Sequence, residues 1–93
     1  MKFEWDESKS FDCFVIRGFY FQLATRVFAD PQRKVKLDNR FIYGEDRYIA
    51  LGKAEGRVLH IVYTMRNDAI RIISARKANS REVKKYENSA SLN

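Results

Sequence analysis

Apolar and polar positions alternate most regularly between Arg57 and Ala78, in the stretch RVLHIVYTMRNDAIRIISARKA. Leu59, Ile61, Tyr63 and Met65 alternate against Val58, His60, Val62 and Thr64, so this first strand is largely apolar on both faces, as expected near the centre of a sheet. From Ala69 a second strand places Ile70 and Ile72 on one face and Arg71, Ile73 and Ala75 on the other. Asn67 and Asp68 tolerate positive φ, which predicts a tight two-residue hairpin loop between the two. Helical spacing comes earlier in the chain. Phe11, Phe14, Val15 and Gly18 recur at i, i+3, i+4 and i+7 behind Asp6, an N-cap residue type, with Gly18 as the stop. Phe21, Ala24, Val27 and Phe28 mark a second helix, ended by Asp30-Pro31 because the residue before proline avoids the α region. Both aromatic-rich faces read as core. Arg33 to Asp38 alternates Lys34 and Lys36 with Val35 and Leu37, a half-exposed edge strand. Arg47 to Leu51 is the next strand, joined to the central one through Lys53-Ala54-Glu55-Gly56. Asn79-Ser80-Arg81-Glu82 fits a capping box that opens a short helix with Val83 and Tyr86 on one side. The expected order is α-α-β-β-β-β-α. That is an α+β fold with two N-terminal helices, a four-stranded antiparallel sheet covered by helices on one face, and a short C-terminal helix.

Composition narrows the function. Ninety-three residues, 45% hydrophobic and 14% aromatic with a single proline, suit one globular domain spanning the whole chain. No apolar run approaches the ~20 residues that cross a bilayer, and MKFEWDES has acids where a secretion signal needs apolar residues, so a cytoplasmic protein without a membrane partner is expected. Cys13 and His60 are each the only residue of their type, which leaves no ligand set for structural zinc and no intrachain disulfide. No glycine-rich phosphate loop or nucleophile elbow is present, and no cofactor is expected. The net charge of +6 is uneven: Met1 to Asp30 carries −1, and the rest of the chain +7. Such a field favours a phosphate-rich or acidic partner.

The basic residues therefore carry the candidate chemistry: Arg40, Arg47, Arg71, Arg76, Lys84 and Lys85, interleaved with Tyr43, Tyr63 and Tyr86. Cutting RNA without a metal requires the 2′-hydroxyl to lose its proton, the pentacoordinate phosphate's charge to be stabilised, and the leaving 5′-oxygen to gain a proton. Guanidinium groups meet the second need as bidentate donors, and Tyr or Glu can meet the others where the environment tunes them. His60, flanked by Leu59 and Ile61, reads as a hydrogen-bonded core residue rather than a catalytic one. Arg71 and Arg76 differ by an odd number, so they share a face only if the strand ends or bulges between them.

FEWDESK at Phe3 to Lys9, FADP at Phe28 to Pro31, YGEDRY at Tyr43 to Tyr48 and IRIISARKA at Ile70 to Ala78, followed by Glu82 and Tyr86-Glu87, resemble the BrnT toxins of bacterial type II toxin–antitoxin pairs. The resemblance implies a RelE-like ribonuclease fold and cleavage of RNA without a metal, which inhibits translation. It also implies neutralisation by a BrnA-like antitoxin in a 2:2 complex, with operator DNA reached only through the antitoxin. By the same resemblance, catalytic roles fall to Arg71, Arg76, Arg47, Glu45 and Tyr86; Tyr63 is the further catalytic candidate, and the basic residues Arg17, Arg40, Lys84 and Lys85 are expected to contact RNA. Two histidines usual in the family are replaced, by Arg17 and Tyr63. Either tyrosine takes over the proton transfer, or the chain is a weakened RNA- or antitoxin-binding module with a regulatory role.

Overall fold

The computed structural model describes residues 1–38 and 44–89. Strand β1 (Lys2–Trp5) leads into helix α1 (Glu7–Arg17) and the single-turn helix α2 (Phe21–Ala24), which tightens into a 3₁₀ turn (Thr25–Ala29). Strands β2 (Lys34–Leu37), β3 (Tyr48–Ala54), β4 (Arg57–Arg66) and β5 (Ala69–Lys77) follow, and helix α3 (Ser80–Ser89) comes last. The strands form one sheet in the order β1-β5-β4-β3-β2. β1 runs parallel to β5, with Lys2 opposite Ala69 and Trp5 opposite Ile72, while the remaining neighbours are antiparallel.

This corrects the expected four-stranded antiparallel sheet behind two helices. A fifth strand precedes the helices and makes the sheet mixed. Four residues with mild alternation reveal nothing locally of a partner at the other end of the chain, and the intervening helices and strands supply the crossover that parallel pairing needs. The helices also divide between the two faces. α1, α2 and the 3₁₀ turn cover one, enclosing Phe21, Ala24 and Val27 with Ala50, Leu59, Ile61, Ile72 and Ala75. α3 packs on part of the other, where Tyr86 and Val83 meet Leu51 and Val58.

Local signals set the element ends. The Asp6 carboxylate accepts the Ser8 and Lys9 N–H groups, and Gly18 closes α1 at φ 89° with its N–H on the Phe14 carbonyl. The β4–β5 turn has Asn67 at φ 51° and Asp68 at φ 65°, the pair of positive values that matches the twist of a two-residue hairpin. The second helix is less regular than its spacing suggested: after one α turn the chain goes 3₁₀, yet Phe21, Ala24, Val27 and Phe28 are all buried.

α1 is turned the other way from the expected one. Phe11, Phe14 and Val15 face outward, and Ser10 and Cys13 are the buried side. Polar needs decide this orientation. The buried Ser10 Oγ accepts the Phe21 N–H at 2.9 Å, and the Cys13 thiol and Arg17 guanidinium donate to the Ala75 carbonyl at 3.5 and 3.4 Å. Leaving such buried backbone groups unmet would cost about 1–3 kcal/mol each. Phe19, Phe21 and Phe28 supply the aromatic bulk instead.

Candidate active site

The β4–β5 ladder slips between Val62 and Tyr63, where Val62 pairs with Ser74 but Tyr63 pairs with Ile72. Ile73 is the extra residue of a β-bulge. Before it, Arg71 lies opposite Thr64; after it, Arg76 lies opposite His60. Thr64 and His60 are an even number apart on β4 and so share a face. The bulge thus puts Arg71 and Arg76 on one side despite their odd spacing, and turns Ala75 into the core beside Ile61.

That side is a groove of about 770 Å³ between the sheet and α3, lined by Lys34 and Lys36 of β2, Ile49 and Leu51 of β3, His60 and Val62 of β4, Ser74 and Arg76 of β5, and Asn79, Arg81, Glu82 and Lys85 around α3. Five of these are lysine or arginine and one is acidic. At its centre the Arg76 guanidinium meets Glu82 with both arms, at 2.9 and 3.0 Å. Glu82 also accepts the Asn79 N–H at 2.9 Å while Asn79 Oδ1 accepts the Glu82 N–H at 2.9 Å, the reciprocal capping box the sequence indicated. The hydrogen bonds from Arg76, opposed by partial burial and aided by Asn79, bring the Glu82 carboxyl down to about 2. His60 Nε2 lies 3.8 Å from Glu82 Oε2. Arginine, glutamate and histidine thus form one polar chain across the groove floor.

The other expected site residues sit apart from this centre. Arg71 is on the same face, but its strand position is on the order of 15 Å from that of Arg76, and its guanidinium is held by Glu4 at 3.0 Å. Glu45 pairs with Arg47 at 3.5 Å and with Arg66 at 3.4 Å, next to the Thr64 hydroxyl, which donates to the Asp46 carbonyl. Tyr63 points to the opposite face, edge-on to Phe28 at 5.0 Å and stacked near Tyr48 at 5.5 Å. Burial, reinforced by Tyr48, raises its hydroxyl pKa. Tyr86 is buried against Leu51 and Val58, and its hydroxyl donates to Asp30 at 2.5 Å. Burial and that carboxylate push Tyr86 up to about 12. Burial would raise Asp30 in turn, but hydrogen bonds from Tyr86 and from the Lys53 and Gln32 N–H groups outweigh it and hold the carboxyl low. Lys84 and Lys85 are exposed on α3, with Lys85 on the groove rim. Arg17 is on α1, outside the groove. Arg40 and Tyr43 lie outside the described residues. Among those described, no group of three or more His, Cys, Asp or Glu residues is placed to hold a metal ion, and no helix is long and apolar enough to cross a membrane.

A basic groove built on ARKANSRE, the end of β5 and the cap of α3, is where family comparison bears on function. A protein-family profile described as a ribonuclease toxin, BrnT, of type II toxin–antitoxin systems matches residues 5–82. The chain belongs to the BrnT family. No curated protein sequence matches it. BrnT membership makes the chain a toxin whose natural counterpart is an antitoxin. The matched span includes every residue of the Arg76–Glu82–His60 chain and ends before Lys84, Lys85 and Tyr86. Sequence reasoning read His60 as core and did not single out Glu82 for chemistry. His60 could have been found by aligning the central strands: once a bulge is placed between Arg71 and Arg76, it falls opposite Arg76.

Proposed function

We propose that this BrnT toxin is an endoribonuclease that cuts RNA without a metal ion in the groove between the sheet and α3, and that it thereby inhibits translation. The observation that carries the reading is the Arg76–Glu82–His60 chain among Lys34, Lys36 and Lys85. A guanidinium has five N–H donors in a fork, so Arg76 can donate to Glu82 and to a phosphate together. Arg76 stabilises the charge on the scissile phosphate, and Arg71 engages the RNA backbone farther along the same face. His60 takes the proton from the 2′-hydroxyl as its oxygen attacks phosphorus. The bond to the 5′-oxygen breaks, and that oxygen receives a proton from a groove lysine. The products are a 2′,3′-cyclic phosphate and a free 5′-hydroxyl. Glu82 orients the imidazole and stabilises its protonated form. Tyr63 and Tyr86 support the site through packing, because one faces the core and the other is tied to Asp30. Arg47 and Glu45 hold the far end of the groove face.

Purified protein is expected to cleave single-stranded RNA in the presence of a chelator. Arg76→Ala and His60→Gln should each lower the rate by about 10²–10⁴-fold, and Arg71→Ala by less. Arg33→Ala, which removes an equal charge outside the groove, should change it by no more than about threefold. Strict dependence on magnesium or zinc would refute the metal-free mechanism, and equal losses in all the arginine variants would refute a defined phosphate site. A folded chain that binds RNA in the groove without cutting it would support the second reading, a weakened binding module, which the inward placement of Tyr63 and Tyr86 favours if His60 proves inert. In either case a BrnA-like antitoxin with an acidic segment covers the groove, competes with RNA, and through a dimeric DNA-binding part forms a 2:2 complex.

A further inference from the structure

The two edges of the sheet differ in what they leave unmet. β2 ends one side, and only its β3 flank is paired. The Asp38 N–H donates to the Arg47 carbonyl at 2.8 Å, so by the alternation of an antiparallel ladder Lys36 and Lys34 also turn their backbone groups to β3. The N–H and C=O groups of Val35 and Leu37 therefore point out of the sheet. Side chains alternate as well. Lys34 and Lys36 lie opposite Leu51 and Ile49 on the groove face, while Val35 and Leu37 lie opposite Ala50 and Tyr48 on the other, where they stay 48 and 49% exposed. Among the described residues, no hydrogen bond or ion pair engages either lysine or these outward backbone groups. β1, the opposite edge, has no such row: Lys2 and Glu4 differ in sign, Glu4 is held by Arg71, and Phe3 and Trp5 pack on the core.

We propose that an extended segment of the antitoxin docks on β2 as a further strand, with acidic side chains beside Lys34 and Lys36 and apolar ones beside Val35 and Leu37. Outward N–H and C=O groups in alternation are met by another peptide strand, whereas the carbonyls repel a phosphate backbone. A second copy of β2 is a poor occupant. Paired antiparallel about a two-fold axis, its lysines would share a face with Lys34 and Lys36, and like charges across a strand pair are unfavourable. The lysines that keep the chain from pairing with itself thus select a partner of opposite sign. Lys34 and Lys36 also line the groove, so the docked carboxylates lower the positive field that draws RNA. The proposal rests on the antitoxin reading above and deepens it, but it does not require cleavage.

The test is amide hydrogen exchange, followed by NMR without RNA, on the free chain and on the chain co-purified with its antitoxin. Val35 and Leu37 are expected to exchange quickly in the free chain and about tenfold or more slowly in the complex. Val35→Pro removes one outward N–H on an edge strand, where proline is tolerated. It should keep a cooperative thermal melt and raise the antitoxin dissociation constant about tenfold or more. Lys34→Glu with Lys36→Glu leaves the backbone groups in place and should weaken binding about tenfold, with a smaller dependence on salt. Unprotected Val35 and Leu37 amides in the complex overturn the proposal, as does a folded Val35→Pro chain that binds as tightly as the wild type. Undiminished binding by the lysine reversal overturns the acidic assignment. Protection that grows with concentration in the free chain overturns the choice of occupant in favour of a second copy. A chain inert toward RNA leaves the amide protection standing, and an unprotected edge leaves cleavage standing, so the two readings fail separately.

Discussion

Replacing Glu82 by Gln tests whether the groove's Arg76–Glu82 ion pair also holds the fold together. Gln can still accept the Asn79 N–H and keep the cap, but the charge opposite Arg76 and His60 is gone. The drop from the ordinary glutamate value of 4.5 to about 2 corresponds to at most about 3.4 kcal/mol of folded-state stabilisation. The carboxylate opens onto a hydrated groove, so screening reduces this to about 1.5–2 kcal/mol. Because the folded value is depressed, the stabilisation is complete above the unfolded value of 4.5 and is lost as pH falls toward 2, more than half of it by about pH 3. Urea unfolding of both chains at intervals from pH 7 to pH 3 measures it. The wild type should exceed Glu82→Gln by about 1.5–2 kcal/mol at pH 7, and the gap should narrow steadily below about pH 5. A gap that stays constant across this range, or one below about 0.5 kcal/mol at pH 7, would show that Glu82 acts through the cap alone.

One deletion and one substitution probe the scaffold under the site. Deleting Ile73 removes the bulge, which should drive Arg76 toward the core beside Ile61 and abolish both RNA cleavage and cooperative unfolding; an active, stable deletion variant would mean the bulge does not set the groove. Gly52→Ala would bring a Cβ to 2.7 Å from Val27 Cγ1 and 3.2 Å from the Val27 carbonyl, so it should destabilise the fold by about 1–3 kcal/mol, measured by urea unfolding against Gly44→Ala as an unpacked positive-φ control.

What the sequence made legible was what short segments decide for themselves. Asp6 and Gly18 bound α1 because their own side chain or backbone freedom satisfies its ends, and Asn79 with Glu82 caps α3 for the same reason. Asn67 and Asp68 make the hairpin with no outside help. Three features depend on partners far along the chain and were not legible. β1 is a strand only because β5 is beside it. The orientation of α1 follows from Ser10 meeting the Phe21 N–H, whereas the spacing of Phe11, Phe14 and Val15 favoured the reverse. The bulge was foreseen as a condition for Arg71 and Arg76 to share a face, but its position at Ile73 comes from the ladder with β4. His60 is buried, as its apolar sequence neighbours implied, but they did not reveal that Arg76 and Glu82 are its neighbours in space.

The pairing of β1 with β5 also governs when a newly made chain becomes dangerous. Lys2 and Phe3 emerge long before Ala69 and Ile70, the strand they join, and the groove needs Arg76 and Glu82, which come later still. Pairing over such sequence distance is slow compared with hairpin closure, because the loop must be closed before its contacts contribute. The β4–β5 hairpin therefore forms ahead of the complete sheet, and toxicity is the last property the chain acquires during synthesis.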